Sequence, residues 1–300
     1  MTLLTKLPDV KGKLIEFGLL QNHTWFKVGG PADILFTPED TNDLINFVKN
    51  CPKDIPLTPL GAGSNVLVRD GGISGVVICT KKLNNIEVEK NIFNVECGAL
   101  DMAISRVASK YGISGLEFLI GIPGSIGGAF KMNAGSFGKE TKNILVEAKA
   151  IDREGIIHSV DPADIKMSYR NTKTPKDWIF LSGKLRGEIS KPELVRSKMQ
   201  EIIKLRIQNQ PQGVSTGGST FINPKGLKSW QLIAQAGCRE LEFGKAKVSK
   251  KHCNFLINTG GASALEIETL GELVRKKVLE YSEVNLEWEI QRLGHHKSCH

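Results

Sequence analysis

Several things are scarce in this sequence, and each scarcity narrows what the protein can be. Aromatic residues make up 6% of the 300 positions, and no stretch interleaves them with basic residues. That pattern is what stacks nucleotide bases, so a base-stacking nucleic-acid surface is not read. No apolar run approaches the ~18 residues that suggest a spanning helix. The opening MTLLTKLPDVKGKL has no sustained apolar core, so no secretory signal is read there. The six cysteines (Cys51, Cys79, Cys97, Cys238, Cys253 and Cys299) are scattered, with no C-x-x-C. Reduced thiols in a cytoplasmic protein are the economical reading. No repeat of roughly 20–50 residues is visible, which removes solenoid arrays.

Familiar ligand motifs are also incomplete. GAGSNV (61–66) begins like a dinucleotide fingerprint but lacks the third glycine, and no clear helix opens after it. That speaks against a Rossmann fold. GCRELEFGKA (237–246) ends in Gly-Lys-Ala and misses the phosphate-loop pattern at both the glycine spacing and the last residue. His295, His296, Cys299 and His300 would suit a metal ion in isolation, but terminal tails are usually mobile, and no metal site is assigned. His252-Cys253 has no partner at triad or ligand spacing, so a structural role is expected.

What remains is an ordinary globular composition, 40% hydrophobic and 24% charged, on a chain long enough for two or three compact units. The net charge of +8 permits nucleic acid but also suits an enzyme for phosphate or carboxylate ligands, which is preferred. TNDLINFVKN (41–50) and LDMAISRVASKYG (100–112) have helical apolar spacing, with Gly112 as a stop. IPLTPL, VLV and GVVIC read as strands, NIEVEKNIFNVEC (85–97) as a hairpin, ILVEAKAID with GIIHSV as another, and WIFLSG as a strand. Beyond about 190 the chain turns helical: 193–210, 229–237, and a helix opened by the Ser263–Glu266 capping box. A boundary is expected near 190, with 1–20 as a leading segment and the intervening region split near 82.

GIPGSIGGAFKMNAGSFG (121–138) holds six glycines and one charge, Lys131. Either it is a glycine-rich hairpin loop, or something approaches the main chain closely. Its neighbours along the chain bear on the choice. NHTWFKVGGPADILFTP (22–38), GAGSNVLVRDGGISGVVI (61–78), GLEFLIGIPGSIGGAFKMNAGSFG (115–138), YRNT (169–172) and TGGSTFINP (216–224) occur in this order. VSKKHCNFLIN (248–258) and NLEWEIQRLG (285–294) follow. Over residues 20–294 the chain resembles the UDP-N-acetylenolpyruvoylglucosamine reductase family, flavoenzymes of peptidoglycan precursor synthesis.

The resemblance implies an α+β fold. An FAD-binding part of the vanillyl-alcohol-oxidase type, with two α+β subdomains, would fill 21–190, and a substrate-binding α+β domain 191–300. It implies non-covalent FAD, since 61–75 offers neither His nor Cys for a tether, and NADPH as co-substrate. The short chain between Leu241 and Ser263 resembles the type lacking a tyrosine-bearing loop. The loops 61–65 and 121–128 would let backbone N–H groups approach the diphosphate, as in anion-binding concavities. The cofactor-binding residues are then Gly61, Ala62, Gly63, Ser64, Asn65, Gly121, Pro123, Gly124, Ser125, Gly127, Gly128 and Asn133, though turn capping also explains such polar residues. Lys131 suits an anionic ligand.

The family's reaction, as the resemblance implies it, passes hydride from NADPH through FAD N5 to the vinyl carbon of the enolpyruvyl ether of UDP-N-acetylglucosamine. The enol is then protonated. Three residues match catalytic positions: Ser219 as general acid, Arg170 on the substrate carboxylate, and Glu289 near it. Taken singly they also fit a turn serine, a surface arginine and a solvated glutamate. Tyr169 and Asn223 are expected to contact substrate. Ile222 stands where many relatives have lysine, and Lys225 or Lys228 is the expected substitute. The other readings are another FAD oxidoreductase of this fold and a non-catalytic basic binding protein. A cytoplasmic monomer, without nucleic acid or membrane span, is expected.

Overall fold

The computed structural model describes residues 2–297. Cys299 and His300, raised above as metal candidates, lie outside the described residues. The chain folds into two compact units, Met1–Glu16, Ile34–Ala62 and Gly75–Arg206 in the first and Phe17–Asp33, Gly63–Ser74 and Ile207–His300 in the second. A single cut near 190 is therefore not how the units divide, because two N-terminal segments join the C-terminal one.

Two larger sheets have most of their residues in the segments of the first unit. Lys13–Leu19, Pro31–Thr37, Ile73–Cys79 and Leu57–Leu60 form one in that spatial order, with the last pair parallel. Lys13–Leu19, expected as part of a leading segment, is thus an edge strand. Helix α1 (Thr41–Asn50) buries Leu44, Phe47 and Val48, and Phe47 packs 4.3 Å from Phe36. Its N-cap is Asp40, whose carboxylate accepts from the Asp43 N–H.

The second sheet is antiparallel, in the order Ile157–Val160, Leu145–Ile151, Ile179–Arg186, Ile92–Glu96 and Ile86–Glu89. Both expected hairpins are there. Helix α2 (Asp101–Tyr111) ends where Gly112 turns left-handed at φ 65°. Helix α3 (Ile126–Met132) lies on this sheet through Phe130, edge-on to Phe180 at 5.6 Å. Gly183 makes that approach possible, since a Cβ there would sit 2.5 Å from the Phe130 ring.

Helix α4 (Pro192–Asn209) forms as its spacing predicts, yet buries only Val195 and Met199. The second unit packs helix α5 (Ser229–Gln235) and helix α6 (Ala264–Ser282) with three short antiparallel strands, Glu242–Phe243, Ala246–Val248 and Leu256–Asn258. These strands fill the interval between Leu241 and Ser263. Its core includes Phe26, Leu67, Phe221, Leu256, Leu270, Val274 and Ile290. The capping box at the start of α6 is present in both directions. Asp70 adds to it, its two carboxylate oxygens accepting from Ala264 N–H and Leu265 N–H at 2.9 Å. Gln291–Leu293 runs parallel to Val66–Val68. Among the described residues no helix is long and apolar enough to cross a membrane.

Candidate active site

In the first unit the two glycine loops meet. Ala62 N–H donates to Ser125 Oγ at 3.3 Å, and a Cβ on Gly61 would fall 2.1 Å from that oxygen. Pro123 and Gly124 lead into α3, and the Gly124 carbonyl accepts from Asp101 N–H at 3.1 Å. Gly121 is bare for packing, as a Cβ would meet Ser136 Oγ at 2.8 Å. Gly127 is too, its Cβ position lying 2.8 Å from Cys97 Cβ.

Gly128 is different. It is exposed, and the nearest atom to a Cβ there is Ser125 Oγ at 3.8 Å. A helical glycine costs about 1 kcal/mol against alanine, and protein packing does not require this one. Bare, exposed backbone at the start of α3 fits a ligand that comes close to the main chain. The residues present therefore fit the diphosphate of a flavin cofactor.

YRNT folds onto this segment. Ser168 and Asn171 pair through Ser168 N–H to Asn171 O at 2.9 Å and Asn171 N–H to Ser168 O at 3.1 Å, leaving Tyr169 and Arg170 at the turn. Arg170 stands at φ 54°, in the left-handed region where glycine is favoured. An arginine held there is strain of the kind found at functional sites. Its Nη2 donates to the Gly135 carbonyl at 3.1 Å, and its guanidinium lies 5.2 Å from the Tyr169 ring centroid.

Two expectations need correction in this unit. Asn133 is fully buried, with Nδ2 donating to Glu140 Oε2 (3.1 Å) and Ser168 O (2.9 Å) and Oδ1 accepting from Lys142 N–H (3.0 Å). Its amide joins YRNT to the glycine segment and does not face a ligand. Lys131 donates to Thr174 Oγ1 at 2.9 Å and Pro175 O at 2.8 Å, so its ammonium is already engaged by the protein. Burial lowers its pKa.

The second unit gathers the remaining segments. Gly63 has φ 69°, a Cβ there would meet His23 O at 2.0 Å, and its carbonyl accepts from Trp25 N–H at 2.9 Å. Ser64 beside it is half-buried. Asn65 Nδ2 donates to the Glu289 carbonyl at 3.1 Å, while Asn65 O accepts from Gln291 N–H at 3.0 Å. The side chain of Asn65 thus braces the backbone at Glu289.

Ser219 lies half-buried on an extended strip, paired with Phe255 on one side, and Phe221 pairs with Trp288 on the other. Glu289 N–H donates to Thr220 O at 2.8 Å, which brings Ser219 and Glu289 onto adjacent strips. Gly217 leaves room for Phe26, whose ring a Cβ would meet at 2.4 Å. Gly218, at φ 81°, has nothing within 4 Å of a Cβ, so the space before Ser219 is open. Asn223 Oδ1 accepts from Ser229 N–H at 3.0 Å, at the start of α5. Lys225 and Lys228 are exposed.

Two groups went unassigned in the sequence. Asp101 is completely buried with both carboxyl oxygens unpartnered, and burial pushes its pKa well above the ordinary range. An acid at the first position of a helix reads as routine, so nothing flagged it. Thr220 Oγ1, next to Ser219, is likewise buried without a partner. No group of three or more His, Cys, Asp or Glu suited to a metal ion occurs among the described residues.

Known proteins resemble this chain along nearly its whole length. Residues 210–293 match the family described as UDP-N-acetylenolpyruvoylglucosamine reductase, C-terminal domain, and residues 32–161 match the FAD binding domain family. A protein of Paramagnetospirillum magneticum named UDP-N-acetylenolpyruvoylglucosamine reductase is 48% identical over 96% of this chain and 94% of its own. One of the same name from Parvibaculum lavamentivorans is 50% identical, over 97% and 94%. The crystal structure of the Thermus caldophilus UDP-N-acetylenolpyruvylglucosamine reductase superposes with a TM-score of 0.83 at 30% identity, covering 95% of this chain and 100% of that one.

Proposed function

This chain belongs to the UDP-N-acetylenolpyruvoylglucosamine reductase family, and from that premise we propose that Arg170, Ser219 and Glu289 carry its catalysis. The protein is an FAD-dependent oxidoreductase of peptidoglycan precursor synthesis that reduces the enolpyruvyl ether of UDP-N-acetylglucosamine to UDP-N-acetylmuramate. Its fold is an α+β FAD-binding part with a C-terminal α+β domain. FAD, held non-covalently, supplies hydride transfer to the vinyl carbon, with NADPH as the reductant.

Gly61, Ala62, Ser125, Gly127 and Gly128 shape the backbone that would hold the diphosphate, and Gly63 and Ser64 continue that role in the second unit. Ser219 donates its hydroxyl proton to the substrate carbon next to the carboxylate. A serine is a weak acid, so the transfer requires a strongly basic enol and stabilisation of the alkoxide. Arg170 binds the substrate carboxylate through its fork of donors and stabilises negative charge spreading into it. Glu289 supports the enol form of that carboxylate. A monomer in the cytoplasm completes the reading.

The observation that carries it is the hydrogen bond from Glu289 N–H to Thr220 O at 2.8 Å, which holds Ser219 and Glu289 on adjoining strips. Ser219→Ala tests it by rapid mixing at the flavin absorbance band. Reduction by NADPH should proceed near the normal rate, and reoxidation by the enolpyruvyl substrate should slow by about 10² to 10⁴. Ser219→Cys should recover part of the loss. Equal slowing of both steps would remove the acid assignment.

A further inference from the structure

The segment KKHCNFLIN holds Asn254, 2% exposed, two residues before the strand Leu256–Asn258 begins. Its carbonyl accepts from Thr220 N–H at 2.7 Å. Its side chain makes two further bonds to one residue, with Oδ1 accepting from Phe221 N–H at 2.9 Å and Nδ2 donating to Phe221 O at 2.8 Å. These bonds, together with the Ser219–Phe255 pairing, hold three consecutive residues from one side. From the other side Glu289 N–H reaches Thr220 O at 2.8 Å and Ile222 N–H reaches Glu287 O at 2.9 Å.

The pairing is irregular, and that explains why a side chain is needed. Thr220 sends its N–H toward Asn254 and its carbonyl toward Glu289, so it does not keep both groups on one edge as a regular strand residue does. At the next residue the chain before Phe255 is already turning, with Phe255 N–H bonded to His252 O at 3.0 Å. No backbone continues the ladder opposite Phe221 there. A primary amide supplies one acceptor and one donor in its place. Both Phe221 groups are buried, so losing either bond leaves a polar group unsatisfied beside Ser219.

We propose that Asn254 is a positioning residue for the Ser219 hydroxyl, acting through the two bonds its side chain makes to Phe221. The inference rests on the reading of Ser219 as proton donor. Asn254→Asp keeps the acceptor for Phe221 N–H but replaces the Nδ2 donor to Phe221 O with an oxygen that bonds it only when protonated, which perturbs the strip without removing Ser219.

The test is a double-variant cycle on the full FAD-loaded chain: the unaltered protein, Asn254→Asp, Ser219→Ala and both together. Flavin reduction by NADPH and reoxidation by the enolpyruvyl substrate are each followed by rapid mixing over a range of concentrations. Asn254→Asp should slow reoxidation about tenfold or more at saturation, with flavin reduction and the half-saturating substrate concentration changed less than about threefold. In the Ser219→Ala background it should add less than about twofold, because there is no hydroxyl left to misplace. The same slowing in both backgrounds, or equal slowing of both steps, overturns the proposal while leaving Ser219 as the acid. Normal reoxidation in Ser219→Ala alone overturns the reading of Ser219 and this proposal with it. If Asn254→Asp does not fold, Asn254→Ser removes both side-chain bonds without adding charge, and the same cycle decides.

Discussion

Replacing Asp101 by asparagine should stabilise the protein at neutral pH, by an amount that grows with pH. Asp101 opens α2 with no exposed surface and no partner for either carboxyl oxygen. An ionised carboxylate there is shut off from bulk solvent and has no protein donor, so the folded chain holds the acid protonated far above its ordinary pKa of 3.8. Below that value both folded and unfolded chains carry the proton. Above it the unfolded chain releases the proton and the folded one keeps it, so stability falls as pH rises until the folded pKa is passed. The slope of that loss is about 1.4 kcal/mol per pH unit. Asparagine has nearly the same shape and does not titrate. Its amide is buried as poorly as the neutral acid, so the two proteins should match near the acid end of the window. The variant's advantage should then climb at that slope until the folded pKa is reached, and level off beyond it. Urea unfolding followed by circular dichroism, at steps from about pH 4 to pH 8, measures it. Both proteins must be held at equal FAD, because bound cofactor adds its own stabilisation. Stability curves that stay parallel over the range would mean that Asp101 has the same pKa folded and unfolded, and the reasoning from burial would be wrong.

Three more outcomes follow from single contacts. Arg170→Lys should keep FAD but lower turnover at least about tenfold, roughly 1.4 kcal/mol, because charge survives and the planar fork is lost; unchanged turnover removes Arg170 from the site. Gly61→Ala places a Cβ 2.1 Å from Ser125 Oγ and should break the Ala62–Ser125 bond, costing about 1 kcal/mol in thermal unfolding. Adding Ser125→Ala should then recover the part due to the clash, and no recovery would mean the two loops do not approach as described. Thr220→Val removes a buried hydroxyl that has no partner and should raise stability by about 1 kcal/mol, seen as a higher Tm; a lower one would show that the hydroxyl is satisfied.

Much of the local structure was legible because its signals lie within a few residues of each other. Gly112 ends α2 in the left-handed conformation expected of it, and Ser263 with Glu266 closes the capping box at α6. Both hairpins of the antiparallel sheet were readable from alternation and turn residues. The family was readable too, since seven separate segments in one order are a strong pattern even where each is weak alone. Side-chain roles were less so. Asn133 sits inside a glycine segment and looks like a ligand group, but three hydrogen bonds to neighbours up to 35 residues away use its amide. The Oδ1 of Asn223 accepts from a helix start six residues later, a contact that its place in TGGSTFINP does not announce.

By itself the sequence determined the hairpins and the helices other than α3, because these depend on spacing along the chain, and the order of its segments pointed to the flavin-enzyme family, whose chemistry came with that resemblance. The tertiary structure alone decided how segments far apart combine. It joined 17–33 and 63–74 to the unit that holds 207–300, a grouping that the order of elements along the chain does not announce. It set Asn65 on the Glu289 backbone across 224 residues and Asn254 on Phe221 across 33. It also buried Asp101 without a partner. A polar residue's role depends on whether its hydrogen bonds are met by the protein or left for something else, and that is known only once the distant chain has come to lie beside it.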